Sequence, residues 1–273
     1  KRLAASFVVA ARDNGFKDRD GAEAARCSVA RYHEAIARDA ARPFLDVWYQ
    51  ELDVDTVMES VARASKKARK AAAKGVSKAR SRTQLGTLKK LAERVDGRWR
   101  IRQDPPVIVS YPGHREAEPR LRALFEAYAE TLQPDHRRLF AQYTLADWAR
   151  KVVGVGSVGT EAFIFLFVGP QGDDPLFLQL KQAEASVLAP YVDPPGPQPV
   201  HEGERVVQGQ RLMQAASDIF LGWASGGPND EQRFYVRQLR DMKGSADVAQ
   251  MSPGALAAYA AMCGEALARA HAR

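Results

Sequence analysis

The sequence has little of what metal centres and disulfide frameworks require. Its 273 residues include only two cysteines and five histidines. Cys27 and Cys263 lie far apart and outside any Cys-x-x-Cys pattern, and the histidines show no metal-ligand spacing. We therefore expect no disulfide framework and no structural zinc site, and we interpret both thiols as reduced side chains of a cytoplasmic protein.

The sequence also lacks long apolar runs, and its most basic segment lacks aromatic residues. No run of about eighteen apolar residues occurs, so we expect no membrane-spanning helix. The segment 63–90 is rich in lysine and arginine and holds no acidic residue, a composition that can bind an anion or RNA. It has no aromatic side chain on which a base could stack, so we interpret it as a solvated helix face and expect no nucleic acid partner.

Neither end of the sequence has the pattern of a natural chain end. It begins with Lys1, inside an amphipathic helix pattern and without a starting Met, and it stops at Arg273 within another helical pattern. We therefore expect this chain to be a piece of a longer protein.

The residue pattern changes character at Thr144. Helical spacing of apolar residues is found in the segments 1–13, 20–42, 44–52, 115–132, 134–143, 201–218 and from 254 onward. Strand patterns are found at 98–102, 107–110, 151–155, 160–168, 176–180, 219–223 and 233–239. The sequence predicts an α+β chain with a helical lobe over 1–143, a small antiparallel β lobe over 144–248, and a helix over 249–273 that returns to the helical lobe.

The most specific pattern lies within residues 150–181. Gly154, Gly156 and Gly159 have the spacing Gly-x-Gly-x-x-Gly, which lets backbone N–H groups approach a phosphate closely. A dinucleotide-binding unit needs a helix after the last glycine. The nine residues that follow here are instead aromatic and β-branched for the most part, which favours a glycine loop between two antiparallel strands.

A kinase small lobe has such a loop over the ATP phosphates and a lysine on the third strand that pairs with them. Lys181 occupies that place, directly after Leu-Gln-Leu. The pattern therefore predicts that Lys181 and the loop residues hold the phosphates of ATP. The predicted loop residues are Gly154, Gly156, Ser157 and Gly159. A glycine-rich hairpin with a solvated lysine and no ligand is the alternative interpretation.

Several longer segments resemble one known family. They lie at 1–12, 152–160, 209–223 and 235–245. These segments are similar to an uncharacterised bacterial family, domain of unknown function 2252, which is grouped with protein-kinase-like folds. The resemblance covers nearly the whole chain, and it implies a small antiparallel-sheet nucleotide lobe plus a larger, mostly helical lobe.

The resemblance also implies that the motif order is circularly permuted. In that family, segments that look like the catalytic and metal-binding loops of aminoglycoside-phosphotransferase-like kinases precede the equivalent of Lys1. Residues 264–271 look like the helix that leads into the catalytic loop in those enzymes. We therefore expect the catalytic base and the Mg²⁺ ligands to lie outside this chain, and we expect this piece alone to transfer no phosphate.

The acid partner of Lys181 is less clearly marked. Glu204 is the first candidate and Glu202 the second, although acids at a helix N-terminus are favoured there without any partner. Glu161 stands where such kinases usually have a valine, which disfavours close packing on an adenine.

Backbone at Gln238, Leu239 and Arg240 is predicted to form a hinge that bonds the adenine edge. Asp241 is a candidate catalytic base because the sequence around it resembles His-Arg-Asp-Leu-Lys. Two substitutions argue against it, since Leu239 replaces the histidine and Ala246 replaces the expected asparagine.

These patterns favour an ATP-binding, kinase-like portion of a phosphotransferase that acts on an unidentified small-molecule acceptor. A non-catalytic module of the pseudokinase type, with a basic helix for a partner, is the first alternative. A dinucleotide-binding oxidoreductase is the second.

Overall fold

The computed structural model describes residues 1–50, 84–110, 118–152, 159–172, 174–192, 199–226, 232–239 and 246–273. The chain divides into two compact units. The helical unit comprises residues 1–81, 212–215 and 243–273, and the sheet unit comprises residues 82–211 and 216–242.

The helical unit joins segments from near both ends of the sequence. Its described helices are α1 (Arg2–Asp13), α2 (Asp18–Ala40), α3 (Phe44–Trp48) and α8 (Pro253–Ala272). The most extensive helix–helix contact is that between α2 and α8. Gly264 makes it possible, because a Cβ atom at this position would lie 2.1 Å from the carbonyl oxygen of Ser28. Apolar side chains such as Phe7 and Leu256 are buried between the helices.

The sheet unit holds the remaining described helices and all the described strands. Its helices are α4 (Gln84–Leu91), α5 (Glu118–Glu130), α6 (Pro134–Phe140) and α7 (Glu202–Met213), the last two residues of α7 being assigned to the helical unit. Its strands are β1 (Ala92–Val95), β2 (Arg98–Ile101), β3 (Ile108–Val109), β4 (Thr144–Lys151), β5 (Ala162–Val168), β6 (Pro175–Gln182), β7 (Gly222–Ser225) and β8 (Arg233–Gln238).

A six-stranded antiparallel sheet forms the centre of this unit, with the strand order β3-β4-β5-β6-β8-β7. One face packs against α5 and α6 through an aromatic core that includes Phe125, Tyr128 and Phe165. The opposite face is covered by α4 and the β1–β2 hairpin. A hydrogen bond joins this second layer to the sheet, because the N–H of Ile101 on β2 donates to Oδ2 of Asp147 on β4 (2.7 Å).

The structure confirms a mixed α+β chain with antiparallel strands. It moves the strand predicted at 151–155 toward the N-terminus, because β4 ends at Lys151 and residues 153–155 lie outside the described residues. The division into units also differs from the predicted boundary at residue 144. Residues 82–143 belong to the sheet unit, since β3 pairs with β4 and α5 packs on the sheet.

Two other predictions concern the basic segment and membrane-spanning helices, and the described residues bear on each only in part. Most of the basic segment 63–90 lies outside the described residues, and its last residues form α4. Among the helices that the structure describes, none is long and apolar enough to cross a membrane.

Candidate functional site

Lys181 lies near the end of β6, between the two strands that neighbour it in the sheet. Its direct cross-strand partners are Ala162 on β5 and Tyr235 on β8. The small, buried Ala162 takes up little of the space beside it. Lys181 itself is only partly exposed.

One row further along the same two strands, Gln179 pairs with Arg237. Because side chains alternate between the faces of a strand, both share a sheet face with Lys181 and Tyr235. The result is a block of two by two side chains on β6 and β8, each of which can donate hydrogen bonds. We call it the donor quartet, and it consists of Gln179, Lys181, Tyr235 and Arg237.

The donor quartet is notable for its lack of partners among the described residues. Within the described parts of the chain, none of its four side chains forms a hydrogen bond or an ion pair. Gln179 is the most notable of them, because only 6% of it is exposed. Its amide atoms are nevertheless not among the polar atoms that are both buried and unbonded, so they reach solvent and are open to a ligand on this face.

Within the part of the chain that the structure describes, the two positive charges of the quartet have no carboxylate partner. Burial lowers the pKa of the Lys181 ammonium, and the nearby Arg237 charge lowers it further. Burial also raises the pKa of the Tyr235 hydroxyl, so this group remains a neutral donor at neutral pH. An anion placed here would interact with both cations.

The last glycine of the predicted loop shortly precedes Ala162, the cross-strand partner of Lys181. Gly159 has φ = +87°, a left-handed conformation in which side chains other than glycine are strained. Two residues later, the N–H of Glu161 donates to Oε1 of Gln182 (2.8 Å), and its carbonyl accepts from the N–H of Gln182 (2.9 Å). These bonds fix the start of β5 beside the residue that follows Lys181. The other predicted loop residues, Gly154, Gly156 and Ser157, lie outside the described residues.

Strand β5, and not a helix, follows Gly159. A dinucleotide site needs a helix N-terminus at this point to face the pyrophosphate. The geometry after Gly159 therefore lacks the element on which the oxidoreductase alternative depends.

Neither candidate acid reaches Lys181. Glu204 accepts a hydrogen bond from Nε2 of Gln208 (2.9 Å), and Glu202 pairs with Nε of Arg205 (2.5 Å). Both acids are thus bonded within α7, as expected for acids in the first turn of a helix.

Two of the three predicted hinge residues already use their backbone donors. The N–H of Gln238 donates to Oδ2 of Asp218 (2.6 Å), and the N–H of Leu239 donates to the carbonyl of Phe177 (3.0 Å). Both donors are therefore already bonded within the sheet unit and are not available to an adenine edge. Arg240 and Asp241 lie outside the described residues.

No group of three or more His, Cys, Asp or Glu side chains in the described part of the chain is placed to hold a metal ion. The expectation that Mg²⁺ ligands lie elsewhere stays a prediction.

Sequence reasoning found Lys181 but missed its three neighbours in the quartet. Tyr235 and Arg237 are two residues apart on a predicted strand, and this spacing could have indicated that they share a sheet face. Their pairing with residues 179 and 181 depends on the register between β6 and β8, and the sequence does not give that register.

Comparison with known families adds one assignment. The sequence model of DUF2252, described as uncharacterised proteins conserved in bacteria, matches residues 1–273. The chain belongs to this bacterial family. No curated protein and no solved structure matches the chain. Since the description of the family assigns no activity, a function has to be argued from the geometry of the donor quartet.

Proposed function

We propose that the sheet unit binds ATP, as the nucleotide-binding part of a kinase-like phosphotransferase that acts on a small molecule. The observation that carries the proposal is the position of Lys181. This lysine lies on the third of three antiparallel strands, partly buried and without a carboxylate partner among the described residues. A lysine in such a place holds phosphates as a point charge.

The chain order of the sheet unit supports the same proposal. Strands β4, β5 and β6 are antiparallel neighbours, α7 follows them, and β7 and β8 complete the sheet. Three strands, a helix and two strands is the order that the kinase resemblance predicts for a small lobe. The left-handed Gly159 precedes the second of these strands, where the glycine loop belongs.

The fit to ATP is better for the phosphates than for the base. Lys181 and Arg237 offer two positive charges to a phosphate chain, and Tyr235 adds a hydroxyl donor. The N–H groups of Gln238 and Leu239 are already bonded, so they would not donate hydrogen bonds to the adenine. Mg²⁺, when bound with ATP, would neutralise part of the phosphate charge.

Calorimetric titration of the whole chain with ATP, in the presence of Mg²⁺, tests the proposal. Lys181→Met keeps the aliphatic stem but removes the charge, and we expect it to weaken ATP binding by about tenfold or more. Lys89→Met is the matched control, because Lys89 is an exposed lysine of α4 in the same unit. If the native chain does not bind ATP, or if both variants bind it as the native chain does, the proposal is wrong.

A non-catalytic, nucleotide-binding module is the second candidate. It is favoured by one observation, namely that Glu202 and Glu204 are both bonded within α7, so that Lys181 has no acid partner among the described residues. Transfer of labelled phosphate from ATP to a panel of hydroxylated acceptors distinguishes the two candidates. Turnover by this chain would remove the non-catalytic candidate, and it would also contradict the expectation that the catalytic base lies outside residues 1–273.

A further inference from the structure

We propose that Arg237, together with Tyr235 and Gln179, completes a polyphosphate clamp with Lys181, so that the ligand of this face is a di- or triphosphate chain. The inference deepens the proposed function and shares one residue with it, Lys181. It assigns a binding role to three residues that neither the sequence pattern nor the family description identifies.

The geometry places two cations at the separation that a phosphate can bridge. Gln179 pairs with Arg237 and Lys181 pairs with Tyr235, so Lys181 and Arg237 are diagonal neighbours on adjacent antiparallel strands. Such neighbours lie about 7–8 Å apart. Both side chains are long and lie on one face, so their donor groups can converge on one phosphate or on two consecutive ones.

The two positive charges of this face favour a ligand with more than one negative charge. Arg237 is close enough to depress the protonation of Lys181, and the two cations repel each other in the ligand-free chain. No described carboxylate pairs with either of them. A monoanion would neutralise only half of the paired charge, whereas a phosphate chain supplies two or more negative charges.

Gln179 adds a further donor to this face. Its side chain is more than nine-tenths buried and forms no hydrogen bond with another described residue. It lies directly opposite Arg237 and next but one to Lys181 along β6. Its amide can donate to a phosphate oxygen.

Binding of inorganic tripolyphosphate to the whole chain tests this clamp without a nucleoside. The native chain is expected to bind it, and Arg237→Gln and Lys181→Met are each expected to weaken binding by about tenfold or more. Arg237→Lys keeps the charge but loses the planar fork, so we expect a smaller loss. Arg98→Gln is the matched control, because Arg98 is an exposed strand arginine of the same unit, and its affinity should stay within about twofold of native.

The outcomes separate this inference from the proposed function. If Arg237→Gln binds tripolyphosphate as tightly as the native chain while Lys181→Met does not, the clamp is wrong and the ATP proposal survives. If tripolyphosphate does not bind at all but ATP does, the clamp is again wrong. If both variants lose tripolyphosphate and ATP does not compete for the site, the clamp stands and the ATP proposal fails. Far-ultraviolet circular dichroism of each variant checks that the loss is not due to unfolding, and Arg237→Lys serves if Arg237→Gln does not fold.

Discussion

One group of partly buried charges in each unit allows a comparison, because the two groups are neutralised to different degrees. In the helical unit, one carboxylate is shared by three arginines. Glu265 on α8 accepts from Arg31 (2.7 Å), Arg269 (2.9 Å) and Arg38 (3.4 Å). In the sheet unit, Lys181 and Arg237 are diagonal neighbours on adjacent strands, and neither has a carboxylate partner among the described residues.

This difference separates charges that stabilise the fold from charges that are available to a ligand. A carboxylate surrounded by arginines is neutralised within the molecule, so its loss should destabilise the protein whether or not a ligand is present. Two neighbouring cations without a partner cost stability in the ligand-free chain. Such groups are typical of binding sites, where function opposes stability.

The largest expected effect is on the helical unit and involves no charge. In Gly264→Ala, the new Cβ would lie 2.1 Å from the carbonyl oxygen of Ser28, so α2 and α8 would have to move apart. We expect a loss of about 1–3 kcal/mol in the free energy of unfolding, measured by urea denaturation. Binding of tripolyphosphate at the donor quartet should be unchanged under native conditions.

Gly254→Ala is the matched control for this substitution. It lies in the same helix, and a Cβ atom there would meet no heavy atom within 4 Å. The alanine should be neutral or should stabilise the chain by about 0.4–1 kcal/mol. Equal effects of the two substitutions would show that the close contact of α2 with α8 is not what limits position 264.

The next effect in size tests the shared carboxylate. Glu265→Gln leaves three arginines without their common anion, and we expect it to cost about 1–2 kcal/mol in unfolding free energy, because Arg31 and Arg38 remain partly solvated. Glu34→Gln is the control, since Glu34 is exposed and pairs only with Arg31 in the described chain. Its cost should stay below about 0.5 kcal/mol.

The pH dependence of this prediction has a defined sign. Burial acts to raise the pKa of Glu265, but the hydrogen bonds and charges of Arg31 and Arg269 outweigh it, so the net pKa is lowered. A lowered folded-state pKa gives stability that is present above the unfolded-state pKa and is lost as the pH falls through the folded-state value. The difference between the native chain and Glu265→Gln should therefore shrink on acidification. A difference that stays constant down to acid pH would contradict the role of the ionised carboxylate.

The parts of the fold that follow from local pattern could be predicted from the sequence. Aromatic and β-branched composition identified β5, the Gly/Pro/Asp turn after it indicated β6, and apolar spacing identified α1, α2 and α8. The start of β4 was missed because Thr144 to Trp148 follows α6 after a short turn and has no turn-forming glycine or proline before it. The division into units was missed because it depends on tertiary contacts of α5 and β3 with the sheet.

Of the candidate site, only Lys181 could be predicted, because only this residue is marked by its spacing along the chain. Lys181 has a fixed distance from the glycines in the sequence, so a known spacing could identify it. The neighbours of Lys181 are set by cross-strand register, which local sequence does not encode. The bond that occupies the N–H of Gln238 was not predictable for a similar reason, because Asp218 lies twenty residues before Gln238 and the contact has no local signal.

The smallest expected effect is the one that would sharpen the comparison most. Lys181→Met should raise the unfolding free energy of the ligand-free chain by a few tenths of a kcal/mol, because it removes a partly desolvated charge beside Arg237 and Tyr235. In the helical unit, removal of the Glu265 charge should instead lower the unfolding free energy. Urea denaturation without ligand measures the change, and Lys89→Met on the exposed side of α4 should leave stability the same.

The pH dependence again fixes the sign. Since burial and Arg237 lower the folded-state pKa of Lys181, the folded chain is penalised for holding this proton below that pKa, and the penalty disappears as the pH rises toward the unfolded-state value. The advantage of Lys181→Met should therefore be greatest at neutral pH and should vanish in strong alkali. If Lys181→Met instead destabilises the ligand-free chain as Glu265→Gln does, then Lys181 stabilises the fold through a contact of its own, and the contrast between the two units does not hold.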